Sequence, residues 1–215
     1  MPWSAAGGPA VLFLAPVVFL AGALAHPFVR TYLDTAVVAD AVVSAPRRWA
    51  GAHLTLAVGI GLVLMAALVI RRRLREAGEE RWSERGTTLV VLGSVLLAAV
   101  VGSEMTLTAV VTSGGDVRLV LEEAEALSFP LFGVGALVFA SGWLGFAVAF
   151  HRARLLAATS NRAAIAAMVA ILVGFLVPQT SGTYVYGTAL VVVCWLVGYD
   201  MLTAGSRSFG HPPRV

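Results

Sequence analysis

Six long runs of apolar residues dominate this chain. They cover about 5–25, 49–70, 87–111, 127–150, 163–178 and 184–203. A helix crossing the hydrocarbon core of a bilayer needs about 20 apolar residues. Each run comes close to that or exceeds it, the fifth with least to spare. A helix on the surface of a water-soluble bundle alternates apolar and polar faces every 3.6 residues. These runs are apolar all round, so their surroundings must be apolar too. In lipid, a helix satisfies its own backbone over such lengths. The many valines do not argue for strands, because the runs are too long and lack the alternation of a membrane barrel. The sequence predicts an all-α, polytopic transmembrane bundle of six spanning helices, forming one domain over 1–215.

Charge then supplies the topology. Only 13% of residues are charged, about half the share of a soluble domain. That excludes a disordered chain, a nucleic-acid-binding arm and most soluble enzymes. All 15 basic side chains are arginine, and they sit between the apolar runs. With the N-terminus inside, the loop 71–86 carries Arg71, Arg72, Arg73, Arg75, Arg81 and Arg85. Arg152, Arg154, Arg162, Arg207 and Arg214 fall on the same side, whereas Arg30, Arg47, Arg48 and Arg118 fall outside. The positive-inside rule therefore predicts a multi-pass protein of the cell membrane with both termini cytoplasmic. The lone cysteine, Cys194, excludes an internal disulfide and a cysteine-based zinc site.

The first run needs a closer look. Ala23-Leu24-Ala25 ahead of His26 has the small residues of a signal-peptidase site. However, no basic residue precedes the run, and Pro16 interrupts it. It is read as a spanning helix with a tolerated proline; cleavage would leave five helices. The outer loop 26–48 places Val29, Leu33, Val37 and Ala41 near i, i+4 spacing, which predicts a short amphipathic helix at the interface or over the bundle end. The basic loop RRRLREAGEERWSER reads as a helical extension. Within it Arg72–Glu76 and Arg75–Glu79 attract at i, i+4 and Glu80–Glu84 repel. Trp3, Trp82, Tyr184 and Tyr186 are expected at the interfaces.

Without a hydrophobic drive between membrane helices, small residues must let backbones approach. In the fourth run Gly135, Gly142, Gly145 and Ala149 share one stripe, where a neighbouring helix should lie. Phe132, Phe139, Trp143, Phe146 and Phe150 form a second stripe, facing lipid or filling the next gap. No internal repeat at a fixed period is visible.

The residues out of place are polar. A carboxylate at membrane depth is costly unless it is paired, protonated or facing water. Glu104 lies inside the third run, with Thr108 one turn after it. His53 lies inside the second run, one turn after Trp49. Counted at 1.5 Å per residue from the outer ends, His53 is about 8 Å deep and Glu104 about 13 Å. The two runs are consecutive and antiparallel, so the side chains can meet in the outer half of the bilayer and share a proton. Thr106, Thr108, Gln179, Thr180, Tyr184 and Tyr186 fall at similar depth, and His26 closes the first helix. The candidate ligand-binding or proton-handling residues are therefore His53, Glu104, Thr108, Trp49 and His26. A register-fixing hydrogen-bond network reads from the same residues. Asp200 lies near the inner end of the sixth run, within reach of headgroup water.

Transport, or handling of a small molecule or proton through an outward-facing polar pocket around His53 and Glu104, is the leading reading. A non-catalytic structural or regulatory membrane subunit is the alternative, and homo-oligomers or a partner subunit fit either. Haem would need axial ligands, for which only His53, His26 and Met105 offer themselves. A metalloenzyme would need three ligands, and His26, His53 and Glu104 show no helical ligand spacing. No nucleophile arrangement, phosphate loop or dinucleotide fingerprint is present. The reading thus leans away from an enzyme without excluding one, leaves the cofactor unknown and assigns no metal; the expected partner is the lipid bilayer and not nucleic acid.

The stretch PRRWAGAHLTLAVGIGLVLMAALVIRRRLRE, followed by a glycine-led third helix with Glu104, resembles uncharacterised prokaryotic six-helix integral membrane proteins. In those, a Trp-x3-His helix entry and a polar residue in the third helix occupy similar places. The likeness covers 46–111, and it implies the architecture only.

Overall fold

A computed structural model describes residues 7–208. It is 86% helical, with no strand among the described residues, and six of its helices are long and apolar enough to span a membrane. The spanning elements are α1 (Gly7–Ala25), α3 (Pro46–Glu76), α4 (Arg81–Met105) continued by α5 (Leu107–Thr112), α6 (Val117–Ala153), α7 (Ala158–Phe175) and α8 (Thr180–Ser208). A short helix, α2 (Thr35–Ser44), lies in the first long loop. Trp3, His211 and Arg214 lie outside the described residues.

The spanning helices form a ring. Each packs on its neighbours in chain order, α1 on α3, α3 on α4, α4 on α6, α6 on α7 and α7 on α8, and α8 closes back onto α1. Glycine sets the closest of these contacts. A Cβ on Gly142 would lie 2.6 Å from the Val90 nitrogen, and one on Gly93 would overlap the Phe139 backbone. The small stripe of α6 thus faces α4. The aromatic stripe turns inward: Phe139, Trp143, Phe146 and Phe150 are buried, and only Phe132 is exposed. In α1, Pro16 is accommodated within the helix; the nearby Phe13 carbonyl accepts the Trp195 indole N–H at 3.2 Å.

Three boundaries and one ion pair differ from the sequence reading, each for a local reason. First, α3 runs 31 residues, about 46 Å at 1.5 Å per residue, so its arginine-rich end outruns the hydrocarbon core. It stops at Gly78, whose φ of +83° favours glycine. There the Glu79 and Gly78 N–H groups reach back to the Leu74 and Arg75 carbonyls, both at 2.9 Å. Second, Glu79 does not pair with Arg75. Its carboxylate accepts from the Trp82 and Ser83 N–H groups at the start of α4, and Arg75 turns to Glu80. Glu84 is paired with Arg71.

Third, the 87–111 run is interrupted at Thr106. The Ser103 and Thr106 hydroxyls donate back to the Val100 and Ser103 carbonyls, offering the backbone an alternative to helical continuation. Fourth, α6 starts ten residues before the expected 127. Asp116 caps it by accepting from the Arg118 and Leu119 N–H groups, and Arg118 pairs with Glu122 one turn on. Those charges hid a helix that projects beyond the apolar run. In the first long loop, Asp34 caps α2, so the helix begins after Leu33, which is exposed, and buries Val38 and Val42. Val29 is buried against them from an extended segment.

Candidate functional site

At the end of the ring opposite the arginine-rich turn, the connections hold the polar side chains in place. The α1–α2 segment is pinned to the α7–α8 turn. Tyr32 N–H donates to the Pro178 carbonyl at 2.9 Å, and Thr180 N–H donates to the Val29 carbonyl at 3.1 Å. The Val29 N–H in turn donates to Thr180 Oγ1 at 2.8 Å. The Arg48 guanidinium donates to the Ala25 and His26 carbonyls at 2.6 and 3.3 Å, satisfying the end of α1.

His53 and Glu104 meet directly, with Nε2 to Oε2 at 2.7 Å. His53 is buried, and the Glu104 side chain is 35% exposed. The other ring nitrogen, Nδ1, lies 2.9 Å from the Trp49 carbonyl. A carbonyl only accepts, so Nδ1 carries a hydrogen. The 2.7 Å contact then requires a second proton between Nε2 and Oε2. The pair holds it as imidazolium and carboxylate or as imidazole and carboxylic acid, and both forms are neutral overall. Without it, a nitrogen lone pair would face a carboxylate.

Trp49 supports both partners from behind. Its ring stacks on His53 with centroids 4.4 Å apart, and its indole N–H donates to the Glu104 carbonyl at 3.0 Å. That carbonyl lies at the end of α4, where the helix is interrupted, so the indole supplies a partner there. His26 packs against both rings, at 4.7 Å from Trp49 and 4.9 Å from His53. Its Nδ1 lies 2.6 Å from the Pro27 carbonyl, which leaves Nε2 as an acceptor. Burial, reinforced by His53, pushes the His26 imidazole down to about 4, so it is neutral near neutral pH. Burial likewise pushes the Tyr32 phenol up to about 12.

These groups border a cavity of about 130 Å³ enclosed by α3, α4, α6 and α8 and the first long loop. Its wall includes His26, Tyr32, His53, Glu104, Glu125 of α6, and Thr180, Thr183 and Tyr186 of α8. A smaller chamber of about 50 Å³ lies deeper and is lined by apolar and aromatic residues, among them Phe19, Ile60, Phe132, Phe139 and Phe175. Leu56, Val101, Phe132 and Tyr186 belong to both walls, so the two spaces adjoin.

Of the sequence candidates, His26, Trp49, His53 and Glu104 come together. Thr108 does not line the cavity; its hydroxyl, on α5, donates to the Pro46 carbonyl at 3.2 Å. Thr106, Gln179 and Tyr184 do not line it either. Tyr186 is no interface anchor: it stacks on Phe175 inside the ring, centroids 4.3 Å apart. Sequence reasoning missed Tyr32, Glu125 and the aromatic chamber. The contribution of α6 was hidden because its first turns read as a loop. Asp200 accepts from Arg73 at 3.1 Å and ties α8 to α3 at the other end.

His53 has both ring nitrogens hydrogen-bonded, to the Trp49 carbonyl and to Glu104. Among the described residues, no group of three His, Cys, Asp or Glu side chains is placed to hold a metal ion. No protein-family model, curated protein or solved structure matches the chain. The functional argument therefore rests on the geometry.

Proposed function

We propose that this membrane protein binds a small ligand in the cavity, and that occupancy is coupled to the proton shared by His53 and Glu104. The observation that carries the reading is the 2.7 Å pair opening onto a cavity at one end of the ring. Intramembrane ionisable residues are costly and mark ligand or proton pathways. Toward the opposite end, Trp143, Phe146, Ile70 and Leu74 are buried in the packed core. A pocket at one end of the ring fits ligand binding from one side of the bilayer, the first step of transport. The arginine distribution supports placing the cavity at the outer face of the cell membrane, with both termini in the cytoplasm.

Cysteine accessibility in intact cells tests this. Cys194 is fully buried and gives no background. A Ser128→Cys variant, on the cavity wall, is expected to react with a membrane-impermeant thiol reagent added outside. The pocket reading fails if that cysteine reacts only after permeabilisation, or not at all in folded protein.

A further inference from the structure

The N–H donors beside the cavity, and the Thr180 and Tyr32 hydroxyls, are already committed. The Trp49 indole N–H goes to the Glu104 carbonyl, His53 Nδ1 to the Trp49 carbonyl and His26 Nδ1 to the Pro27 carbonyl. Thr180 donates to the Val29 carbonyl at 3.3 Å, so the Tyr32 hydroxyl at 3.2 Å donates to Thr180. What remains toward the cavity is the Glu104 and Glu125 carboxylates, the His26 Nε2 acceptor, and the hydroxyls of Thr35, Ser128, Thr183 and Tyr186, which can turn either way. Among the described residues, no arginine lines the cavity, and the chain has no lysine. Such a wall repels an anion. It complements a group with several N–H donors, a positive charge and no acceptor, which describes an ammonium. Immediately below, the aromatic chamber offers ring faces and apolar surface to whatever the ammonium carries.

We propose that the ligand is a small primary ammonium with an aromatic or apolar body, and that its binding releases the proton held between His53 and Glu104. The inference rests on the pocket reading above and adds the ligand's class. No bond to carbon forms or breaks. One positive charge enters as the ammonium and one leaves as the proton, so the charge buried at the site does not change. After exchange, the ammonium sits between the pair and donates one N–H to the Glu104 carboxylate and another to His53 Nε2, and His53 is left neutral with its Nδ1 hydrogen still on the Trp49 carbonyl. The titratable groups facing Glu104 are His53 from α3, His26 and Tyr32 from the α1–α2 connection, Glu125 from α6 and Tyr186 from α8. Among the described residues, α7 adds none to the cavity.

The test uses the full chain in lipid nanodiscs and three probes of one shape: 2-phenylethylammonium, 2-phenylethanol and phenylacetate. Calorimetric titration in buffers of different ionisation enthalpy counts the protons exchanged. The ammonium is expected to bind saturably with release of about one proton per ligand, at least tenfold more tightly than the alcohol or the acid. Glu104→Gln should weaken it at least tenfold and abolish the release. Glu125→Gln, at an exposed position, should weaken it by a smaller factor while leaving the release intact. Equal or tighter binding of the alcohol or the acid overturns the class, as does ammonium binding without proton release. If the Ser128→Cys variant is reached from outside and no ammonium binds, the class falls and the pocket stands. If that cysteine is not reached, the pocket itself falls.

Discussion

The Trp49 indole N–H donates to the Glu104 backbone carbonyl at 3.0 Å, across the contact between α3 and α4. One residue of α3 thereby braces the interruption of α4 that carries the acid, while its ring stacks on the acid's histidine partner. The carbonyl and the carboxylate of Glu104 are both held by the same turn of α3.

Replacing Trp49 by Phe keeps an aromatic face for His53 and removes the indole N–H. The Glu104 carbonyl then loses the indole bond, which costs about 1 kcal/mol. Thermal unfolding in detergent should show a modest loss. The infrared band of the Glu104 carboxyl should broaden as its position becomes less defined. An unchanged band would mean the indole contact does not position the acid.

Breaking the pair from its two sides should give unequal results. His53→Ala leaves Glu104 without its partner and is expected to cost about 1–3 kcal/mol. Glu104→Gln keeps a hydrogen bond, because the amide can donate to Nε2, and should cost less. The double variant His53→Ala with Glu104→Gln should be less destabilised than the sum of the singles. Additive losses in the unfolding midpoints would argue against a coupled pair.

His26 should give the fold an acid limb. Burial holds its folded value near 4 against 6.5 for the free side chain. Folding therefore favours the neutral ring. Its contribution is complete above pH 6.5 and is lost as pH falls toward 4, by about 3 kcal/mol in all. Unfolding midpoints measured across that interval should decline in the parent and flatten in His26→Gln. A His26→Gln variant with the same decline would assign the acid limb to other groups.

Two glycines of α4 should respond oppositely to alanine. At Gly93 the added methyl would overlap the Phe139 backbone, whereas at Gly102 nothing lies within 4 Å. Gly93→Ala is expected to destabilise by about 1–3 kcal/mol through overpacking. Gly102→Ala should be neutral, or stabilising by up to about 1 kcal/mol from helix propensity. Similar melting temperatures for the two variants would contradict the close α4–α6 approach.

Much of this was legible in the sequence because lipid imposes a simple requirement. An uninterrupted apolar run must become a helix, so all six spans were found. His53 and Glu104 stood out because so few charges lie inside those runs, and depth counting placed them within reach of each other. What was not legible depended on charges that do local work. Asp116, Arg118 and Glu122 look like loop residues, yet they cap and brace the first turns of α6, which bring Glu125 to the cavity. The interruption at Thr106 arises from hydroxyls bonding back along the chain, inside a run apolar enough to read as continuous. Tyr186 resembled an interface anchor from its position at a helix entry, but ring closure turned it toward Phe175.

The ring also carries an order of assembly. A chain inserted from its N-terminus brings α3 and α4 into the bilayer as consecutive spans, so His53 and Glu104 can neutralise each other well before synthesis is complete. The wall made by α8 comes last, because that helix must return to α1. The costly polar groups can therefore be matched before α8 is made, and the wall that α8 gives the cavity is added only when that helix packs on α1.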